Sequence, residues 1–221
     1  MKILLAEDEP TSLLLLKARV GSWGHDVIPC EDGTQAWEAL QRPDAPKLAI
    51  LDWMMPGLEG PELCRRVREL PHGKLTYLIL LTARAQRSDI VEGLEAGAND
   101  YVTKPPDFAE LRARIDVGIR VLDLQDRLIE AERSRVLVQA AGAAAHEINQ
   151  PLTVLMGNAQ ILLMRMPEDD PHRKTIETLL KSSERISGIV KQMGEIREYI
   201  TKPYIDGVEI IDFDASTGDA K

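Results

Sequence analysis

Five short apolar runs recur along the first hundred residues, and each gives way to a charged or hydroxyl-bearing residue. They are residues 2–6 ahead of Glu7-Asp8-Glu9, residues 26–30 ahead of Glu31-Asp32, residues 47–52 ending on Asp52, residues 77–81 ahead of Thr82, and residues 100–103 ahead of Lys104. Runs this short and this apolar are expected of strands buried on both faces. Helix-favouring stretches lie between them: residues 11–23 closed by Gly24, residues 34–41, residues 61–70, residues 88–96 with Ser88 as N-cap and Gly97 as C-cap, and a helix opening near Asp107. The alternation predicts an α/β domain, a doubly wound five-stranded parallel sheet with helices on both faces.

In such sheets function gathers outside the carboxyl ends of the strands. Here those ends carry Glu7 and Asp8, Asp52, Thr82 and Lys104. Three carboxylates meeting in one crevice repel, so one takes up a proton unless a cation neutralises them. A small hard cation with oxygen ligands, Mg²⁺, meets that need. A lysine and a hydroxyl beside it suit a transferred phosphoryl group, the first as a point charge and the second as a hydrogen-bond donor to its oxygens.

Glu7-Asp8, then Leu51-Asp52 followed by Met55-Pro56-Gly57, then Leu81-Thr82-Ala83, then Gly97-Ala98-Asn99-Asp100-Tyr101 running into Lys104-Pro105 occur in this order. With these motifs, residues 1–120 resemble the receiver domain of two-component response regulators. The resemblance implies a flavodoxin-like fold, with Asp52 as phosphoacceptor. It implies Asp8 and Asp52 as Mg²⁺ ligands, Glu7 joining through water, and the backbone carbonyl of Met54 completing the metal site. It further implies Thr82 and Tyr101 as a switch pair, Lys104 as a contact to the phosphoryl group, and a cis peptide at Lys104-Pro105, accessible because the second residue is proline. Phosphorylation would add roughly −1.5 to −2 charges at Asp52, by analogy with other phosphorylated side chains. Thr82 moving towards the new oxygens would bias the face built from the fourth and fifth strands.

The helix opening near Asp107 shows no early stop. Between Phe108 and Met166 the one proline is Pro151, and the glycines are Gly118, Gly142 and Gly157. Unbroken, it would extend roughly 90 Å at 1.5 Å per residue. Val117, Val121, Leu124, Leu128, Ala131 and Val138 fall at heptad spacing, with Ile115, Leu122, Ile129 and Val136 as a second apolar line beside them. Packing on the receiver accounts for the first turns, and a coiled-coil dimer stem is expected beyond them. Arg135 falls at a core position of that seam and weakens it.

Further on stands His146-Glu147-Ile148-Asn149-Gln150-Pro151-Leu152. On a helix His146 shares a face with Gly142, Asn149, Gln150 and Thr153, while Ile148, Leu152, Leu155, Ala159 and Leu162 form a different, apolar stripe. Pro151 removes a backbone donor and is expected to bend the helix. Residues 166–171 read as a turn, and a second helix is expected over residues 172–199 with Ile176, Leu179, Leu180, Ser183, Ile186, Val190, Met193 and Ile196 on one face. Two such hairpins bury their stripes as a dimeric four-helix bundle. Residues 136–199 resemble the dimerisation and phosphoacceptor domain of sensor histidine kinases. That resemblance implies His146 as a phosphoryl carrier, Glu147 as its acid/base partner, and Gln150 at the position that often orients water for dephosphorylating a partner receiver. An imidazole becomes nucleophilic when a carboxylate accommodates its proton.

The expected organisation is thus α/β plus all-α. A receiver spans residues 1–120, a coiled-coil connector 121–140, a phosphotransfer and dimerisation hairpin 141–200, and a tail 201–221, with a short strand at 208–211 followed by disorder. The residues beyond 199 hold no pair of glycine-rich nucleotide boxes, so the chain reads as a phosphotransfer protein rather than an autonomous histidine kinase. The leading expectation is a phosphorelay protein exchanging phosphoryl groups with a partner kinase and a downstream receiver or phosphotransfer protein. The alternatives are a dimeric adaptor that docks on a partner kinase with His146 vestigial, and a part of a longer hybrid histidine kinase.

Acids outnumber bases 36 to 27, giving a net charge of −9, which argues against nucleic acid as a partner. Cys30 and Cys64 give neither a disulfide framework nor metal-ligand spacing. They read as buried, inert thiols in a reducing cytoplasm. No apolar run approaches the ~20 residues of a membrane span, and the opening six residues are too few for a signal peptide.

Overall fold

The computed structural model describes residues 1–83, 87–196, 201–203 and 209–211. The chain divides into two compact units, Met1–Arg127 and Leu128–Lys221.

In the first unit the elements run β1 (Lys2–Ala6), α1 (Pro10–Ser22), β2 (Asp26–Cys30), α2 (Gly33–Leu40), β3 (Leu48–Asp52), α3 (Gly60–Glu69), β4 (Tyr77–Thr82), α4 (Arg87–Glu95), β5 (Asp100–Thr103) and the opening of α5 (Phe108–Arg165). The strands pair in parallel in the order β2-β1-β3-β4-β5, the flavodoxin-like arrangement. Alternation along each strand sorts its side chains to two core layers. Leu4 and Ala6 join Leu51, Leu63 and Leu80 on one side, whereas Ile3 and Leu5 join Leu16, Ile50, Ile79, Leu111, Ile115 and Leu122 on the other. Each fully buried leucine or isoleucine contributes roughly 1.5–3 kcal/mol. The first turns of α5 therefore pack on the sheet through Leu111, Ile115 and Leu122, and Asp107 Oδ1 accepts from the amide of Ala109 at its start.

Helix ends follow local chemistry. Glu9 caps α1 by accepting from the amides of Thr11 and Ser12, and Asp32 caps α2 by accepting from the amide of Gln35 at 2.7 Å. Helix α4 begins at Arg87, one residue ahead of the expected cap, so Ser88 lies inside its first turn. Its other end is as expected. Gly97 is left-handed at φ 102°, its amide donates to Leu94 O, and the next amide donates to Gly93 O. That pair of bonds is the Schellman ending, which favours glycine because no Cβ opposes the positive φ.

The second unit holds the rest of α5 and the antiparallel-capable partner α6 (Arg173–Gly194). Arg173 Nη1 donates to Leu163 O at 3.2 Å and Met166 O at 3.0 Å, satisfying carbonyls left over at the end of α5. Ala141, Ala145, Leu152, Val190 and Ile196 are buried. Of the expected stripe, Leu152 is buried and Ala159 half-buried, but Ile148, Leu155 and Leu162 are exposed, at 42%, 63% and 53%. Small alanines let the two helices of one hairpin approach closely, and the bulkier branched residues lie on an adjoining face. Helix α6 stops at Gly194, earlier than expected, and residues 197–200 lie outside those described. Short strands β6 (Thr201–Pro203) and β7 (Glu209–Ile211) pair antiparallel. The expected strand at 208–211 thus appears as β7 apart from Val208, which is outside the described residues, as is the segment 212–221 where disorder is expected. Among the described residues no helix is long and apolar enough to cross a membrane.

Candidate functional site

Strand register brings the first site together. Asp52 pairs with Leu81, Ala6 with Leu51, and Thr82 with Thr103, so the ends of the four strands β1, β3, β4 and β5 finish level. Glu7, Asp52 and Lys104 follow from those ends, and the amide of Lys104 donates to Thr82 O at 2.8 Å, holding the lysine over the sheet edge. Beyond Asp52, the amide of Trp53 bonds to Leu81 O and the amide of Gly60 bonds to Trp53 O, which anchors both sides of the loop bearing Met54, Met55 and Pro56. Gly57 turns that loop with φ 82°. The Lys104–Pro105 peptide is cis, as the resemblance implies.

These elements enclose a cleft of about 410 Å³ lined by Glu7, Asp8, Asp52, Met54, Thr82 and Lys104, with Glu9, Ser12, Trp53 and Ala83 completing the wall. Lys104 Nζ lies 2.7 Å from Asp52 Oδ2 and donates to Glu7 Oε1 at 2.9 Å. Glu7 Oε2 is 2.7 Å from the same ammonium as an ion-pair contact, yet it is buried and receives no hydrogen bond. Burial, with the charge of Asp52 added, pushes the Glu7 carboxyl up against the opposing pull of Lys104. Burial works to lower Lys104, but its hydrogen bonds to Asp52 and Glu7 outweigh that and hold the ammonium above its ordinary value.

One oxygen each of Glu7, Asp8 and Asp52 lie within 4.8 Å of one another, with Asp8 exposed and the other two buried. An all-oxygen set of three carboxylates fits a small hard cation such as Mg²⁺. Met54 lines the same cleft. Thr82 is fully buried at the cleft, and Tyr101 is half-buried against the core on β5. Among the cleft residues, Trp53, Ser12 and Glu9 carried no predicted role. Glu9 lies in the acidic run that marks the end of β1, which is the one signal for it in the sequence.

The second site lies in the hairpin. His146, Glu147 and Gln150 are exposed on α5, and Gln150 Nε2 stands 3.0 Å from His146 Nε2. Asn149 on the same face is half-buried, and its carbonyl accepts from Thr153 Oγ1 at 2.7 Å. Pro151 lies inside the helix and offers no amide to the carbonyl of Glu147.

Residues 3–116 match the response regulator receiver domain family, and residues 137–196 match the His Kinase A (phospho-acceptor) domain family. The phosphate regulon transcriptional regulatory protein PhoB of Rhizobium meliloti is 43% identical over 119 residues, 54% of this chain and 52% of that protein. Response regulator PleD of Caulobacter vibrioides is 36% identical over 145 residues, 65% of this chain and 32% of that protein. The chain spans about half or less of the length of these curated relatives. Among solved structures, a putative response regulator from Chloroflexus aurantiacus superposes with a TM-score of 0.51 at 32% identity, covering 55% of this chain and 97% of that one. The receiver domain of Francisella response regulator 1452 gives 0.51 at 29% identity, covering 54% and 96%. With the strand-end acids and the lysine in one cleft, a cis proline directly after that lysine, and a histidine motif inside the second match, the chain belongs to the response regulator receiver family and carries a His Kinase A phospho-acceptor domain after its receiver.

Proposed function

We propose that this two-component signalling protein accepts a phosphoryl group on Asp52 and carries a second phosphoacceptor at His146. The observation that carries the reading is Lys104 held 2.7 Å from Asp52 and 2.9 Å from Glu7 at the carboxyl edge of a parallel sheet. A half-buried lysine spanning two acids is placed to follow the oxygens of an incoming phosphoryl group. An oxygen of Asp52 forms the new O–P bond as the N–P bond of a partner kinase's phosphohistidine breaks, and the electron pair returns to that imidazole. Glu7, Asp8 and Asp52, with the Met54 carbonyl, would hold Mg²⁺. When bound, it supplies positive charge against the carboxylates and the phosphoryl oxygens. The Thr82 hydroxyl then bonds a phosphoryl oxygen, and Tyr101 on the neighbouring strand follows as its switch partner.

In the hairpin, His146 exchanges phosphoryl groups with another protein, Glu147 accommodates the imidazole proton, and Gln150 orients water for dephosphorylating a bound receiver. Exposed Ile148, Leu155, Leu162, Leu179 and Ile186 support a homodimeric bundle, fed by a coiled-coil connector over residues 121–140. The receiver is assigned residues 1–120, the hairpin 141–200 and the tail 201–221. The donor is a partner histidine kinase, the acceptor a downstream receiver or phosphotransfer protein, and the compartment a reducing cytoplasm.

The test is chemical. After incubation with phosphorylated kinase, Asp52 should carry a base-labile acyl phosphate, and His146 an acid-labile, base-stable label. Asp52→Ala should remove the first and His146→Ala the second. Label confined to Asp52 with every kinase tried, together with intact signalling in His146→Ala, would leave the hairpin as an adaptor.

A further inference from the structure

We infer that Gln150 is a positioning residue that selects which nitrogen of His146 carries the lone pair, and so which nitrogen is the nucleophile. The inference rests on His146 being the phosphoacceptor proposed above. Gln150 Nε2 and His146 Nε2 are 3.0 Å apart. Two nitrogens share a hydrogen bond only when one of them accepts, and an amide nitrogen has no acceptor lone pair. The proton in this bond therefore belongs to Gln150. His146 Nε2 accepts it, and the proton of the neutral ring sits on Nδ1. That reverses the preference of a free histidine, whose neutral ring favours the proton on Nε2.

The spacing makes the contact possible, because residues four apart lie one above the other on a helix. Both side chains are exposed, and among the described residues Gln150 is the hydrogen-bond partner of the imidazole. In the transfer, the Nε2 lone pair forms the N–P bond while the P–O bond of an acyl phosphate donor breaks. The electron pair leaves with the donor's carboxylate, and the Nδ1 proton, kept through the attack, is afterwards taken up by Glu147. The amide that prepares the lone pair also covers it. Gln150 must rotate aside before attack, and it then donates to a phosphoryl oxygen instead.

The test uses the full chain with ¹⁵N-labelled histidine at mildly alkaline pH, with His146→Ala assigning the His146 signals among the four histidines. Ring ¹⁵N–¹H spectra of the wild type should show the proton on Nδ1. Gln150→Glu puts an acceptor in place of the donor and should move the proton to Nε2. Gln150→Met removes the contact and should return the mixture weighted to Nε2–H. Labelling of His146 by phosphoramidate should fall about fivefold in Gln150→Glu, the scale of exchanging one exposed hydrogen bond for another, with helix content and sedimentation unchanged. A wild-type ring protonated on Nε2, or spectra indifferent to both substitutions, overturns the inference. A tautomer that shifts as described in a protein whose His146 takes no label from phosphoramidate or from any kinase upholds the positioning role and refutes the phosphoacceptor reading, so the two failures are distinct.

Discussion

Lys104 Nζ stands 2.7 Å from Asp52 Oδ2, in a pair whose side chains are 23% and 8% exposed. Lys104→Ala would leave Asp52 and Glu7 facing each other without that counter-charge. Breaking a buried pair from one side costs about 3–5 kcal/mol, and the partial exposure of the lysine reduces this to about 2–3 kcal/mol. Urea unfolding without Mg²⁺ should show that loss, and added Mg²⁺ should recover a large part of it by binding the folded state. An unchanged midpoint would mean that the acids do not depend on the lysine.

Gly60 opens α3 against the far side of the phosphoacceptor strand. A Cβ there would collide with the backbone carbonyl of Asp52 and come within 2.7 Å of Leu80 Cδ2. Gly60→Ala is expected to destabilise the first unit by about 1–3 kcal/mol and to slow labelling of Asp52 by acetyl phosphate. Gly142→Ala, where a Cβ meets nothing within 4 Å, is the control and should leave both measurements in place.

Burial pushes the Cys64 thiol up to about 12 and the Cys30 thiol up to about 11, from an ordinary value of 9.0. Neither should react with iodoacetamide in the folded protein, and both should react in urea. The unfolded chain releases these protons from about pH 9, while the folded chain keeps them. Above that pH the unfolded state binds fewer protons, so stability falls as pH rises. Cys64→Ala should flatten the decline that sets in from about pH 9 upward. An equally steep decline in the variant would assign the effect elsewhere.

Leu155 and Ile186 are 63% and 46% exposed on neighbouring helices of the hairpin. A second copy is expected to cover them. Leu155→Asp with Ile186→Asp should convert a dimer to a monomer in sedimentation, with most of the helical circular dichroism retained. A wild-type monomer at micromolar concentration would overturn the bundle.

Arg68 ties the end of α3 to the approach to β5. Its guanidinium donates to Gly97 O at 2.8 Å, Thr76 O at 2.7 Å and Asn99 Oδ1 at 2.6 Å, and also to Gly73 O. Arg68→Met should cost about 3 kcal/mol by leaving several of these acceptors unpaired. Arg68→Lys should recover little of it, since an ammonium cannot span the fork of a guanidinium. Hydrogen exchange at residues 97–101 should rise in both variants.

The receiver was legible in the sequence because its signals are local. Residues 78–81 are apolar without interruption and all are buried, and Asp52, Thr82 and Lys104 stand where strands end. The Arg68 clamp was not legible, since its acceptors lie up to 31 residues away and carry no pattern of their own. In the hairpin, periodicity located the helices but not the use of their faces. Ile148, Leu155 and Leu162 lie one step around from Ala141, Ala145 and Leu152, and a repeat of three and four fits both lines. Only the close approach of α6, with a Cβ at Gly194 3.4 Å from that of Ala145, decides which line is internal. The contact from Gln150 to His146 depends on a rotamer and leaves no trace in residue order.

Pro151 gives the rod that carries His146 a notch. The Glu147 carbonyl, one residue after the imidazole, lacks the amide that an unbroken ladder would offer it from Pro151. A notched rod yields first at the notch, so thermal flexing of this helix concentrates on that one cross-section. The missing bond runs between residues 147 and 151 and so spans the stretch that separates His146 from Gln150, and flexing there changes the spacing on which the hydrogen bond between them depends.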